Sequence, residues 1–118
     1  MSKCNIIQGK CWTFLIYPES APPDWKMIFE DKLHISGAYS VVHHDEDGIT
    51  KDHVHCILEF PQNMSLNRVK QIIDDHFKGS ATQPFIVYDK PRMYRYLSHL
   101  DDKSKKQYDP NLVTYYKQ

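Results

Sequence analysis

The chain has 118 residues, 41% hydrophobic and 25% charged, with 15 basic and 15 acidic side chains in balance, the composition of one soluble globular domain with a single core. Disorder does not fit, and neither does a membrane span, since no stretch approaches the roughly 20 apolar residues that cross a bilayer. Residues 1–10 are polar and lack the apolar segment of a secretory signal, and Cys4, Cys11 and Cys56 are odd in number without zinc-knuckle spacing, so the expected compartment is the cytoplasm, with reduced thiols.

Residues 11–17, Cys-Trp-Thr-Phe-Leu-Ile-Tyr, are rich in aromatic and branched side chains and stop at Pro18, the pattern of a buried strand near the sheet centre. Pro22 and Pro23 open a segment in which Trp25, Ile28, Phe29 and Leu33 recur at helical spacing, with Gly37 as its terminator. Residues 38–44 read as a second strand, and Asp45-Glu46-Asp47-Gly48 supplies turn chemistry before a third, so the two form a hairpin. Ser65 caps a helix whose apolar stripe is Leu66, Val69, Ile72, Ile73 and Phe77, ended by Gly79. Residues 85–88 make a short fourth strand, and Pro91 starts a third helix through Met93, Tyr96, Leu97 and Leu100. The order β-α-β-β-α-β-α predicts an α+β fold: a ferredoxin-like, RRM-like antiparallel sheet of split βαβ type, with helices on one face and an added tyrosine-bearing helix. Residues 111–118 show no period and read as the tail of the domain, here taken as residues 1–118.

His53-Val54-His55 is the most informative motif, because residues two apart in a strand point to one face. The alternate residues Val54, Cys56, Leu58 and Phe60 form an apolar face, which leaves both imidazoles on the other side. Cys56 reads as a small core hydrophobe. A lone strand histidine is usually structural, but two on one face with His43, His44, Asp45 and Asp47 upstream point to a cation, which relieves the desolvation of crowded ligand groups. The hairpin brings His44 and Asp47 from the opposing strand end and turn towards His53 and His55. The choice between His43 and His44 depends on a register that spacing alone does not fix. Imidazoles with one carboxylate and no thiolate suit Mn²⁺, Mg²⁺, Zn²⁺, Co²⁺ or Ni²⁺ in an open site.

On the third helix, 100° per residue separates the two tyrosines. Tyr96 shares an edge with Arg92, His99 and, in a helix long enough to reach it, Lys103, whereas Tyr94 shares one with Ser98 and Asp101, so a phosphodiester favours Tyr96. Both could instead be amphipathic anchors. A phenol, with a pKa near 10, is a better leaving group than a sugar alcohol, so it suits strand breakage that must be resealed. Residues 19–59 hold nine acids against three lysines, and residues 90–106 hold six basic residues against two acids. The acidic segment can attract a cation and the basic one a phosphate.

The His-hydrophobe-His motif together with Met93-Tyr94-Arg95-Tyr96-Leu97-Ser98-His99 resembles the HUH endonucleases. With Trp12-Thr13-Phe14-Leu15-Ile16-Tyr17-Pro18-Glu19-Ser20 and His44-Asp45-Glu46-Asp47, residues 11–110 resemble the catalytic origin-binding domain of rolling-circle plasmid replication initiators. The resemblance implies a nickase and strand transferase of the cytoplasm. In such an enzyme His44, Asp47, His53 and His55 bind Mn²⁺ or Mg²⁺, and Tyr96 attacks single-stranded origin DNA exposed in a hairpin. A 5′-phosphotyrosine link forms, and the freed 3′ hydroxyl primes synthesis by the host replication machinery. Many relatives carry lysine three residues after the tyrosine, where this chain has His99. The expected DNA contacts are Lys90, Arg92, Arg95, His99, Lys103, Lys105 and Lys106. Relatives of the plasmid type also carry a C-terminal oligomerisation domain, so the chain reads as an isolated nicking domain, with homo-oligomerisation left to a full-length protein. A single-tyrosine transposase or conjugative relaxase shares the motif logic. A non-catalytic RRM-like module shares the element order but needs a basic-Gly-aromatic motif that is absent here.

Overall fold

The branched and aromatic residues near the N-terminus form β1, Gln8–Ile16, which hydrogen-bonds antiparallel to a long central strand, β3, Val54–Ser65. A computed structural model describes residues 8–43, 52–98 and 113–116 of the chain. Its sheet has the order β4-β1-β3-β2-β5, with β2 at Ser36–Tyr39, β4 at Phe85–Ile86 and β5 at Thr114–Tyr116, and every pairing is antiparallel. This is the expected α+β architecture. Among the described residues no helix is long and apolar enough to cross a membrane.

Alternation divides the sheet into two working faces. Trp12, Phe14 and Ile16 from β1 and Val54, Cys56, Leu58 and Phe60 from β3 are buried on one of them. There they meet α1, a helical turn at Trp25–Met27 that continues as a π-helical turn over Ile28–Lys32, and α2, Leu66–Phe77. The aromatic centre of this layer is Phe29, stacked on Phe77 at 5.0 Å between ring centroids and flanked by Phe14, Tyr39 and Tyr116. Deleting a ring as enclosed as Phe77 costs about 3–5 kcal/mol, because the cavity left behind adds to the lost transfer energy. As expected, Ser65 caps α2, its hydroxyl accepting from the Arg68 N–H at 3.2 Å, and Gly79 follows in the left-handed region at φ 82°.

The other face carries Cys11, Ala38 and Ile57, covered by Leu97 and Val113, with Met93 and Tyr94 packed alongside. The third helix, α3 at Lys90–Tyr96, therefore lies across the sheet from α1 and α2. Pro91 stands in its first turn, and Asp89, a cap not anticipated from the sequence, accepts from the Arg92 N–H at 3.1 Å.

Several boundaries differ from expectation: β1 starts at Gln8 rather than Cys11, and α3, expected to run through Leu97, ends at Tyr96 with Leu97 as its C-cap. Gly37 does not end α1: the helix stops near Leu33, His34 takes a left-handed φ of 55°, and Gly37 lies inside β2. It serves there because a Cβ at that position would stand 2.0 Å from the Ile57 carbonyl oxygen. The second strand runs over Ser36–Tyr39 and resumes only as a bridge at His43, and the fourth covers Phe85–Ile86 only. Within the expected tail, Thr114–Tyr116 is the sheet's edge strand, paired to β2. Cys4, His44, the 45–48 turn, Asp47, His99, Leu100, Lys103, Lys105 and Lys106 lie outside the described residues.

Candidate functional site

The register of β2 against β3 decides which upstream histidine joins the pair. Tyr39 faces Cys56, and continuing one for one would set Val42 opposite His53, yet His43 stands there, exchanging backbone hydrogen bonds of 2.7 and 3.0 Å with His53. One extra residue is thus taken up between Tyr39 and His43, a bulge that rotates the next side chains onto the opposite face. Between them, the Ser40 hydroxyl accepts from the His55 N–H at 3.0 Å and holds the two strands together.

His43, His53 and His55 meet on the α3 face of the sheet, with ring centroids 4.6 Å apart for His43 and His55, 4.9 Å for His53 and His55, and 5.6 Å for His43 and His53. One nitrogen from each can be chosen so that all three lie within 4.8 Å of one another. His43 and His55 are buried, as are the individual nitrogens His43 Nδ1 and His55 Nε2, whereas His53 is half-buried. His43 Nε2 lies 2.9 Å from the Leu97 carbonyl oxygen at the end of α3. A carbonyl only accepts, so Nε2 donates to it and Nδ1 is the nitrogen left for a metal, the way second-shell carbonyls orient metal-binding imidazoles. This donor set fits a divalent cation: three imidazoles with a nitrogen each within 4.8 Å of the others, and no thiolate among them. Of the residues expected from sequence, the structure brings His53 and His55 together and adds His43, the alternative to His44.

Tyr96 ends α3 beside this cluster, its ring edge-on to His55 at 5.0 Å and 86°. Tyr94 points elsewhere. Its hydroxyl donates to Glu59, which also pairs with Lys90, and its ring stacks on Tyr115 at 5.7 Å. Burial raises the Glu59 carboxyl, but the hydrogen bonds from Lys90 and Tyr94 and the Lys90 charge outweigh it and hold the group below the usual range. Burial first, and then the bond to Glu59, pushes the Tyr94 phenol well above its ordinary value. Tyr94 is thus a protonated anchor of α3. Lys90, expected as a DNA contact, is engaged by Glu59, while Arg92 and Arg95 are exposed on α3. Glu59 carried no signal in the sequence beyond its place on the histidine face of β3.

Residues 4–117 match the family described as plasmid replication protein, origin binding domain. The chain belongs to that family. Two relatives agree with the assignment. A replication protein of Staphylococcus aureus is 33% identical over 105 residues, 86% of this chain and 51% of the relative. Replication protein RepB of Lactiplantibacillus plantarum is 28% identical over 103 residues, 86% of this chain and 46% of the relative. The chain spans about half the length of the curated relatives it matches. An origin-binding domain of a plasmid replication protein engages origin DNA, and the histidine cluster with Tyr96 lies within the stretch that the family covers.

Proposed function

We propose that this origin-binding domain nicks and rejoins single-stranded origin DNA with Tyr96 as nucleophile, as an HUH-type endonuclease that starts rolling-circle replication of a plasmid. The observation that carries the reading is the contact between the Tyr96 ring and His55 of the three-imidazole cluster. The Tyr96 oxygen attacks the scissile phosphorus and forms a phosphotyrosine bond to the 5′ side, while the bond from phosphorus to the 3′ oxygen breaks. The phenol loses its proton and the departing 3′ oxygen gains one, leaving a 3′ hydroxyl that can prime synthesis. Because the phenol leaves more readily than a sugar alcohol, attack by a 3′ hydroxyl on the same bond reseals a strand.

His43, His53 and His55, with His44 and Asp47 proposed as further ligands, would hold Mn²⁺ or Mg²⁺. When bound, such a cation would supply charge that polarises a phosphoryl oxygen and offsets charge growing at phosphorus during attack. The chain's own contribution is placement: His43 Nε2–H on the Leu97 carbonyl ties the cluster to the end of α3, and Tyr94 on Glu59 seats the same helix from its other flank. Arg92 and Arg95, with His99, Lys103, Lys105 and Lys106, are the proposed phosphate contacts. A hairpin origin, host replication proteins and self-assembly of a longer protein complete the proposed setting.

The deciding experiment incubates the protein with single-stranded DNA of its own replicon's origin and Mn²⁺, then maps any adduct by mass spectrometry. A nucleotide attached to Tyr96 supports the reading. An adduct elsewhere, or cleavage leaving only free ends, rejects it.

A further inference from the structure

Beside Tyr96, away from the histidines, a groove of about 260 Å³ runs between β4 with its following loop and α3, lined by Thr13, Ile86, Tyr88, Arg92, Met93 and Tyr96. Two features there are at odds with a purely structural role. Tyr88, in the lining, is 90% exposed, and Phe85 of β4, just outside it, is 63% exposed, although aromatic rings of this size normally gain from burial. Arg92 is exposed one helical turn before Tyr96, so the two share a flank of α3 and border the same groove. The carboxylate at this end, Asp89, is turned to the helix cap, accepting from the Arg92 N–H.

We infer that this groove is a subsite for one nucleotide of the single strand next to the scissile phosphate, with its base stacked on Tyr88 and a backbone phosphate held by Arg92. The inference rests on the proposed nicking function, since it takes Tyr96 as the fixed end of the strand's path. An apolar floor, an exposed ring and a guanidinium are what an unpaired nucleotide needs, because every base has a face to stack and every linkage a charge to pair. A duplex would not fit, as its bases are already stacked on one another. Tyr88 is thereby a binding residue and not a member of the reacting centre.

The test is equilibrium binding of fluorescein-labelled oligo(dT), and of an abasic oligomer of equal length and charge, with a chelator present so that no strand is cut. The intact protein should prefer oligo(dT), and Tyr88→Ala should weaken that binding by roughly five- to a hundred-fold, the worth of one stacked base, while leaving the abasic oligomer's affinity unchanged. Tyr88→Phe, which keeps a ring, should retain the preference. Arg92→Gln should weaken both oligomers alike and lower the salt slope by about one. Since Tyr88 is almost fully exposed, its variants should melt with the parent protein. Undiminished preference for oligo(dT) in Tyr88→Ala overturns the subsite, as does a self-association that Tyr88→Ala disperses, which would assign the groove to a second copy. If Tyr96 still forms its adduct with origin DNA in those cases, nicking stands and only the subsite falls. Absence of any adduct in the parent protein removes nicking itself.

Discussion

Tyr96 and His55 meet edge to face, with ring centroids 5.0 Å apart and ring planes at 86°. The contact joins the last residue of a helix on one side of the sheet to the central strand beneath it, and it sets a phenol against a cluster of three imidazoles. Two residues earlier on the same helix, Tyr94 spends its hydroxyl on Glu59. One helix thus sets one tyrosine against the imidazoles and anchors itself through the other.

Tyr96→Phe is expected to abolish the covalent DNA adduct while noncovalent binding persists. Tyr94→Phe should keep the adduct and lose about 1.5–3 kcal/mol of stability, the usual worth of a hydrogen bond to a charged acceptor. Adduct mass spectrometry and a urea melt of both variants check this. An adduct lost in Tyr94→Phe alone would reverse the two roles.

Replacing His43 or His55 by alanine should lower Mn²⁺ affinity at least tenfold in a calorimetric titration, since each removes one of three clustered donors. In the parent protein, Mn²⁺ at a hundred times its Kd should stabilise the fold by about 2.7 kcal/mol, and a chelator should take that gain away. A Mn²⁺-insensitive melting temperature would reject the cluster as a metal site.

Glu59 gives the fold an acid-sensitive point. Its carboxyl is held below its ordinary 4.5, so the folded state prefers the ionised form; the stabilisation is present above the unfolded value and is lost as pH falls through the lower, folded one. Glu59→Gln should therefore cost about 1–2 kcal/mol at neutral pH, and the gap to the parent protein should narrow as pH falls below 4.5 and through the lower, folded value. A gap that stays constant from pH 7 to pH 3 would show that charge at Glu59 does not matter.

Gly37→Ala is expected to destabilise by about 3 kcal/mol, towards the upper end of overpacking costs, because the added methyl meets the Ile57 backbone oxygen and the Tyr116 hydroxyl rather than a side chain that can swing away. Thermal melts would measure it. A variant as stable as the parent would mean that β2 and β3 can separate without loss.

Much of this arrangement is legible in sequence where signals are local. Ser65, the stripe from Leu66 to Phe77 and Gly79 define α2 from cap to terminator, and the alternation from His53 to Phe60 correctly divides imidazoles from core. The helical wheel likewise separates Tyr94 from Tyr96, whose contacts prove to be different. What escapes is non-local. Gly37 carries the same sequence signal whether it ends a helix or lets two strands approach, and only the position of Ile57 decides between them. His34, which does turn the chain at positive φ, has no distinguishing neighbour pattern. The place of His43 follows from a single-residue slip against β3, and β5 is three residues whose partner lies more than seventy positions earlier. Neither leaves a periodic trace.

Burial has one more outcome, this time for sulfur. Desolvation drives the Cys56 thiol well above its ordinary value and lifts that of Cys11 to about 11, so at neutral pH neither offers a thiolate to peroxide or to alkylating reagents. Both sit in the sheet that carries the histidines, one on each face. Electrophiles meeting the folded sheet therefore find its sulfur closed, and uptake of a maleimide at these two positions becomes a clock for the opening of the sheet itself.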